Sequence, residues 1–275
     1  MAETASNSLV GKRIVITRAA AQSEAIGREL SARGAIPVML PLVAFADPED
    51  FAPLDAAIAQ IEQFDWIIFT SAQAVRAVVK RRKALERGLI PACDKLQIAV
   101  VGPVTAQVAR DVGFPVQFVA ETHTGAALAE ELGKRLEGTQ VFLPRSDRAN
   151  PDLPAALKRY GAAVTEVIAY RTLRPTEVDQ RNLRQVADGE ADAVLFFSPS
   201  AVQHFAELFG GEQLRVMQDK LSIMAVGLIT AKVLYEAGIA RVVMAGDTTA
   251  AAVVEALELH FMNAVKQAPA GAKRA

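Results

Sequence analysis

Ile67-Ile68-Phe69-Thr70-Ser71-Ala72-Gln73-Ala74-Val75 is a short apolar run, a pair of hydroxyl residues and the start of a helical pattern. The chain repeats the phrase 127 residues later as Val194-Leu195-Phe196-Phe197-Ser198-Pro199-Ser200-Ala201-Val202. Each apolar run is too short for a helix and reads as a buried strand, and the hydroxyl residue behind it as the N-cap of a helix. The first turn of such a helix leaves backbone N–H groups unpaired, and the helix dipole adds positive potential there. The junction therefore suits an anionic group. Two such junctions predict two similar lobes with a ligand between them.

Working outward, the repeat widens. Arg18 in Ile16-Thr17-Arg18 recurs as Arg145 in Leu143-Pro144-Arg145, and Gly34 recurs as Gly161, both at a spacing of 127. Val101-Gly102-Pro103-Val104-Thr105-Ala106 returns as Val226-Gly227-Leu228-Ile229-Thr230-Ala231, and Thr124 as Thr249, at a spacing of 125. Solenoid repeats run at about 20–50 residues, so this period marks a duplicated domain instead.

Composition sets the class. A chain of 275 residues, half of them apolar, can build two cores. A net charge of −1 argues against a nucleic-acid-binding protein, which carries a basic excess. The one dense basic run, Lys80-Arg81-Arg82-Lys83, is expected to be a solvated helix face. A single cysteine, Cys93, rules out a disulfide framework and points to a reducing compartment. The longest apolar stretch, Ala35 to Ala46, is interrupted by Pro37 and Pro41 and is too short to span a bilayer. With a polar N-terminus, these features predict a soluble cytoplasmic protein without membrane contact. Residues 263–275 are small, polar and basic, and are expected to be disordered.

Strands and helices alternate along the chain. The strands are continuous apolar runs, the mark of parallel sheets covered on both faces. The fold class is α/β, with a doubly wound, flavodoxin-like sheet in each lobe. Ligands of such sheets sit beyond the carboxyl ends of the strands. Those ends carry Arg18, Ser71, Gly102, Arg145, Ser198 and Gly227, and no cluster of carboxylates, thiols or imidazoles. His123, His204 and His260 are isolated, lack metal-ligand spacing and read as surface or half-buried side chains. No dinucleotide fingerprint, P-loop or nucleophile elbow occurs. Catalysis, if present, must come from shaping the substrate and stabilising charge with backbone dipoles. A non-catalytic two-lobed module for an anionic small molecule is the alternative on these residues.

Taken in order, Thr17-Arg18, Phe69-Thr70-Ser71, Val101-Gly102 with Thr105, Pro144-Arg145, Tyr170 at a strand end, Phe197-Ser198-Pro199, Val226-Gly227 with Thr230, and Thr248-Thr249 resemble the landmarks of the uroporphyrinogen-III synthases. The resemblance covers about Gly11 to Phe261. One departure is Gly227-Leu228-Ile229-Thr230, where the family often has Gly-Pro-Thr-Thr. The resemblance implies a crossed duplication. Lobe one would comprise residues 1–41 and 173–262, and lobe two residues 47–167. Connectors 42–47 and 169–175 would pair as a short two-stranded ladder. The sequence alone would equally permit two contiguous lobes.

The resemblance also implies the chemistry: hydroxymethylbilane is closed into a macrocycle with inversion of ring D and loss of water, without cofactor or metal. A monomer is expected, with transient contact with hydroxymethylbilane synthase. Tyr170 is the candidate acid for the departing hydroxyl, since a phenol can donate a hydrogen bond or proton; alternatively it packs at the lobe junction. Substrate carboxylates would be held by Arg18, Ser71, Gly102, Thr105, Arg145, Ser198, Gly227, Thr230 and Thr249, through charge-assisted bonds and backbone N–H groups. The plainer readings are helix capping for the hydroxyl residues and an inter-lobe salt bridge for the arginines.

Overall fold

The computed structural model describes residues 7–88, 95–122 and 124–267. Cys93 and His123 lie outside the described residues. The strands are β1 (Arg13–Ile16), β2 (Ile36–Met39), β3 (Ala44–Ala46), β4 (Trp66–Phe69), β5 (Gln97–Val100), β6 (Val116–Val119), β7 (Gln140–Ser146), β8 (Ala163–Leu173), β9 (Ala193–Phe196), β10 (Ser222–Ala225) and β11 (Val242–Met244). The helices are α1 (Glu24–Ala32), α2 (Ala52–Ala59), α3 (Ala72–Ala84), α4 (Pro103–Asp111), α5 (Gly125–Leu132), α6 (Asp152–Arg159), α7 (Gln180–Ala187), α8 (Pro199–Phe209), α9 (Gly211–Met217), α10 (Leu228–Glu236) and α11 (Ala250–Gln267). They pack into two compact units. One is made of the residues up to Ala44 and those from Arg174 onward, the other of Phe45–Leu173.

The first unit holds a parallel sheet in the order β2-β1-β9-β10-β11. The second holds the order β3-β8-β7-β4-β5-β6, parallel from β8 to β6. The sequence repeat explains the likeness. By its spacing β1 corresponds to β7, β2 to β8, β4 to β9, β5 to β10 and β6 to β11. Leaving aside the edge strand β3, each sheet therefore takes two strands from one copy and three from the other, in the same spatial order. That order is flavodoxin-like.

Continuous apolar strands follow from helices on both faces. In β4, Ile67 and Phe69 pack with Val75, Val78 and Ala109 on one side of the sheet. Trp66 and Ile68 pack with Leu128, Leu132 and Leu157 on the other. All four residues are buried. Phe69 is fully buried, and truncating such a residue to alanine costs about 3–5 kcal/mol.

The structure corrects several expectations from the sequence. β7 runs on to Ser146, so Arg145 lies within a strand rather than beyond its end. β8 runs on to Leu173, so part of the second connector is strand. The expected connector pairing occurs as β3 against β8, at the edge of the six-stranded sheet rather than as a separate ladder. Helix α9 has no counterpart in the sequence reading, and α11 reaches Gln267, so residues 263–267 are helical rather than disordered. The rest of that segment lies outside the described residues. The basic run is not a uniformly solvated face. Arg82 is buried and donates to the Gly88 carbonyl oxygen, while Lys80 pairs with Asp47 and Arg81 with Asp55. His204 is fully buried, its Nδ1 2.6 Å from the Leu42 carbonyl oxygen.

Candidate functional site

In each sheet the winding reverses beside the first strand of the pattern, between β1 and β9 and between β7 and β4. Ligand crevices of doubly wound sheets form at such switch points. Ser71 and Ser198 close β4 and β9 there. Both are extended, and both cap a helix by accepting a backbone N–H, from Ala74 at 3.1 Å and from Ala201 at 3.3 Å. Thr124 and Thr249 cap α5 and α11 in the same way, while Gly102 and Gly227 stand at the N-caps of α4 and α10 without a side-chain acceptor. At Gly227, φ is +99°, a conformation that favours glycine.

In the unit of Phe45–Leu173, Tyr170 projects from β8 to Ser71. The two hydroxyls are 3.1 Å apart. Tyr170 is 8 % exposed and meets Phe45 edge-to-face at 5.5 Å. Burial pushes its phenol above the ordinary value of 10.0, and hydrogen bonds from Ser71 and Ser146 only partly offset this. The side chain is therefore a neutral O–H donor at neutral pH. Around it runs a polar network that the sequence reading did not find. Ser146 Oγ lies 2.7 Å from Thr172 Oγ1 and 2.9 Å from Asp147 Oδ1, and Asp147 accepts the Thr172 backbone N–H at 2.8 Å. Tyr170 also lines a cavity of about 250 Å³ with Phe45, Asp47, Gln73, Arg76 and Lys80. A second cavity of about 250 Å³ is lined by Val79, Arg82, Lys83 and Phe114.

Arg145 is 4 % exposed. Nη1 is 2.9 Å from Glu166 Oε1, an ion pair outside hydrogen-bond geometry, and Nη2 donates to the Asn150 carbonyl oxygen. Nε is buried without a partner among the described residues. Burial lowers its pKa, and Glu166 opposes the shift. The salt bridge thus joins neighbouring strands of one sheet. Thr105 and Thr230 occupy the first turns of α4 and α10 with buried side chains, so neither is the cap of its helix. In the other unit Arg18 donates from Nε to Gln22 Oε1 at 3.0 Å and lies 5.2 Å over the Phe197 ring, next to Ser198.

Of the residues picked from the sequence, the structure thus brings together Ser71, Tyr170 and Arg145 in one unit, with Ser146 and Asp147 joining them. In the other, Arg18 and Ser198 share the switch point, with Gly227, Thr230 and Thr249 on the following turns. Among the described residues no three His, Cys, Asp or Glu side chains gather to hold a metal ion, and no helix is long and apolar enough to cross a membrane.

The family model for uroporphyrinogen-III synthase HemD matches residues 24–255. A uroporphyrinogen-III synthase of Synechococcus elongatus is 33% identical over 207 residues, covering 74% of this chain and 77% of the relative. One from Chlorobaculum parvum is 23% identical over 254 residues, covering 90% of this chain and all of that one. Among solved structures, a mutant uroporphyrinogen III synthase of Thermus thermophilus aligns with a TM-score of 0.64 at 20% identity, over 92% of this chain and 100% of that one. The uroporphyrinogen-III synthetase of Helicobacter pylori aligns with a TM-score of 0.55 at 19% identity, over 90% of this chain and 99% of that one.

Proposed function

The chain belongs to the uroporphyrinogen-III synthase family, and from that premise we propose how its own residues perform the reaction. The activity is that of a cyclising lyase of tetrapyrrole biosynthesis. Hydroxymethylbilane closes to uroporphyrinogen III with inversion of ring D and loss of water. Tyr170 donates its O–H to the departing hydroxyl of the hydroxymethyl group, carried by the terminal ring opposite ring D, and the raised phenol pKa keeps that proton in place until the oxygen leaves. Loss of water gives an azafulvenium cation. Attack by the substituted carbon of ring D gives a spiro-pyrrolenine; its older bond to ring D breaks, the freed carbon is attacked by the unsubstituted alpha carbon of ring D, and the proton lost there restores the Tyr170 phenol. The unassisted chain closes without inversion, so the protein's main task is to impose one fold on the substrate.

Carboxylate arms provide the handles. The N-termini capped by Ser71, Ser198 and Thr249, and those opened by Gly102 and Gly227, offer unpaired N–H groups to acetate and propionate side chains. Arg18 adds charge at the β1/β9 switch point. Arg145, buried behind Tyr170, supports the site electrostatically, and Thr105 and Thr230 fix the first turns they occupy. The observation that carries this reading is the 3.1 Å contact of a buried, neutral phenol with the Ser71 cap, beside a polar cavity. We further place the enzyme in the cytoplasm, on its single cysteine in 275 residues. It acts as a monomer that receives its labile substrate by transient contact with hydroxymethylbilane synthase.

The test is a coupled assay. Hydroxymethylbilane is generated in place, the purified protein added, and the oxidised type I and type III porphyrins resolved by chromatography. Predominant type III is expected. Type I alone, at the rate seen without protein, would overturn the reading and leave a binding module in its place.

A further inference from the structure

The cavity beside Tyr170 contains a cation that the mechanism above does not use. One of its walls is a face of α3. Gln73, Arg76, Ala77 and Lys80 recur there at helical spacing, and the facing wall is Phe45 to Asp47. The charges of this cavity do not cancel. Lys80 Nζ contacts both oxygens of Asp47, at 2.6 and 2.8 Å, so that pair is neutral as a unit. Just outside, Arg171 donates to the Asp47 carbonyl oxygen at 3.0 Å and pairs with Glu49 at 2.7 Å, which uses up the remaining carboxylate. Arg76 has no ion pair or hydrogen bond among the described residues, and it is exposed. The cavity therefore carries one uncompensated positive charge, on the residue type best shaped to grip a carboxylate with two parallel bonds.

Size narrows the occupant. Pockets for drug-sized ligands hold about 300–1,000 Å³. At about 250 Å³ this one is too small for a linear tetrapyrrole and of the order of one substituted ring. We propose that the cavity is the subsite for the ring presented to Tyr170, and that Arg76 is a specificity-determining residue which pairs with one carboxylate arm of that ring. The assignment rests on the reading of Tyr170 as the acid. It adds a residue that fixes which way the ring enters. With its acid arm on Arg76, the ring's hydroxymethyl carbon is set toward the phenol, and the opposite orientation forfeits the ion pair.

The experiment measures kcat and KM for hydroxymethylbilane in the wild type, Arg76→Ala, Arg76→Lys and Arg76→Glu, at low and at raised salt. An exposed residue without an ion pair is dispensable for folding, so the variants should keep the wild-type Tm. In Arg76→Ala, KM should rise about five- to tenfold while kcat stays within about twofold, the pattern of lost binding rather than lost chemistry. Arg76→Lys should recover part of the loss and Arg76→Glu should exceed it. The gap between wild type and Arg76→Ala should narrow as salt screens the pair. A wild type that makes type III porphyrin, with KM unchanged within twofold in both Arg76→Ala and Arg76→Glu, would overturn the role of Arg76 alone. A wild type that makes only type I at the unassisted rate would remove the synthase reading, and this subsite with it.

Discussion

Replacing Tyr170 by Phe separates what the hydroxyl does for the fold from what it does for the reaction. The phenyl ring keeps its edge contact with Phe45, and the oxygen's two neighbours are not left stranded. Ser71 still accepts the Ala74 N–H, and Ser146 still has Thr172 and Asp147. The loss to stability is therefore that of an ordinary hydrogen bond, about 0.5–1.5 kcal/mol. For a chain of this size that lowers Tm by only a few degrees, roughly 2–4 °C per kcal/mol. Loss of a general acid costs more, on the order of 10²-fold in kcat. Since each factor of ten is about 1.36 kcal/mol, the catalytic effect of about 2.7 kcal/mol should exceed the structural one by a factor of roughly two to five. The coupled assay should show kcat for type III porphyrin falling about a hundredfold with KM little changed, and a melting curve should show a small shift. A normal kcat in a variant whose Tm has dropped as calculated would refute the argument and leave Tyr170 a packing residue.

Ser71→Ala and Ser198→Ala each remove an N-cap acceptor and should each cost about 1 kcal/mol in chemical denaturation, but only Ser71→Ala, which also deprives Tyr170 of one of its two partners, should lower kcat. Gly227→Ala should destabilise by about 1–3 kcal/mol through the backbone alone, because an added Cβ would meet nothing within 4 Å; full stability would show that the turn relaxes. Arg145→Met exchanges a buried, incompletely satisfied guanidinium for an apolar side chain, so Tm should be nearly unchanged or higher; a large loss of Tm would show that the Glu166 pair is structural, and a raised KM that the arginine serves the substrate. Burial holds the His260 imidazole, 2.7 Å from Ser222, below its ordinary 6.5. Its contribution to stability is then complete above pH about 6.5 and is lost as pH falls through the lowered folded value, so melting curves between pH 7 and 5 should fall more steeply for the wild type than for His260→Gln.

The strands and caps were legible in the sequence because each is a local signal. Trp66 to Phe69, bounded by Asp65 and Ser71, admits no other reading than a buried strand before a capped helix. The α/β class and the doubly wound sheets followed from repeating that signal. The pairing of β1 with β9 rather than β4 was not legible from residues alone. β4 and β9 are copies of one phrase, and periodicity cannot tell a strand from its duplicate. The site divides in the same way. Ser71 was legible as a cap and Tyr170 was singled out through family resemblance, but nothing in the sequence joins them across 99 positions. Ser146, Asp147 and Thr172 carry no local motif, and only the pairing of β7 with β8 brings them together. Arg76 looked like any exposed arginine on a helix, since its value lies in what its neighbours have already paired with.

The exchange of strands between the two copies also sets an order of events as the chain leaves the ribosome. β1 and β2 emerge first, yet their sheet neighbour β9 ends at Phe196, about 180 residues later. Contacts so distant in sequence form slowly, and an apolar strand that waits for its neighbour is prone to stick elsewhere. The segment from Phe45 to Leu173, by contrast, contains all of its own sheet from β4 to β8 and can collapse as soon as it is out. Nascent chains halted near Arg174 should therefore protect the later segment from proteolysis while β1 and β2 remain open to cleavage. β1 and β2 are made before β9 yet wait for it to be housed.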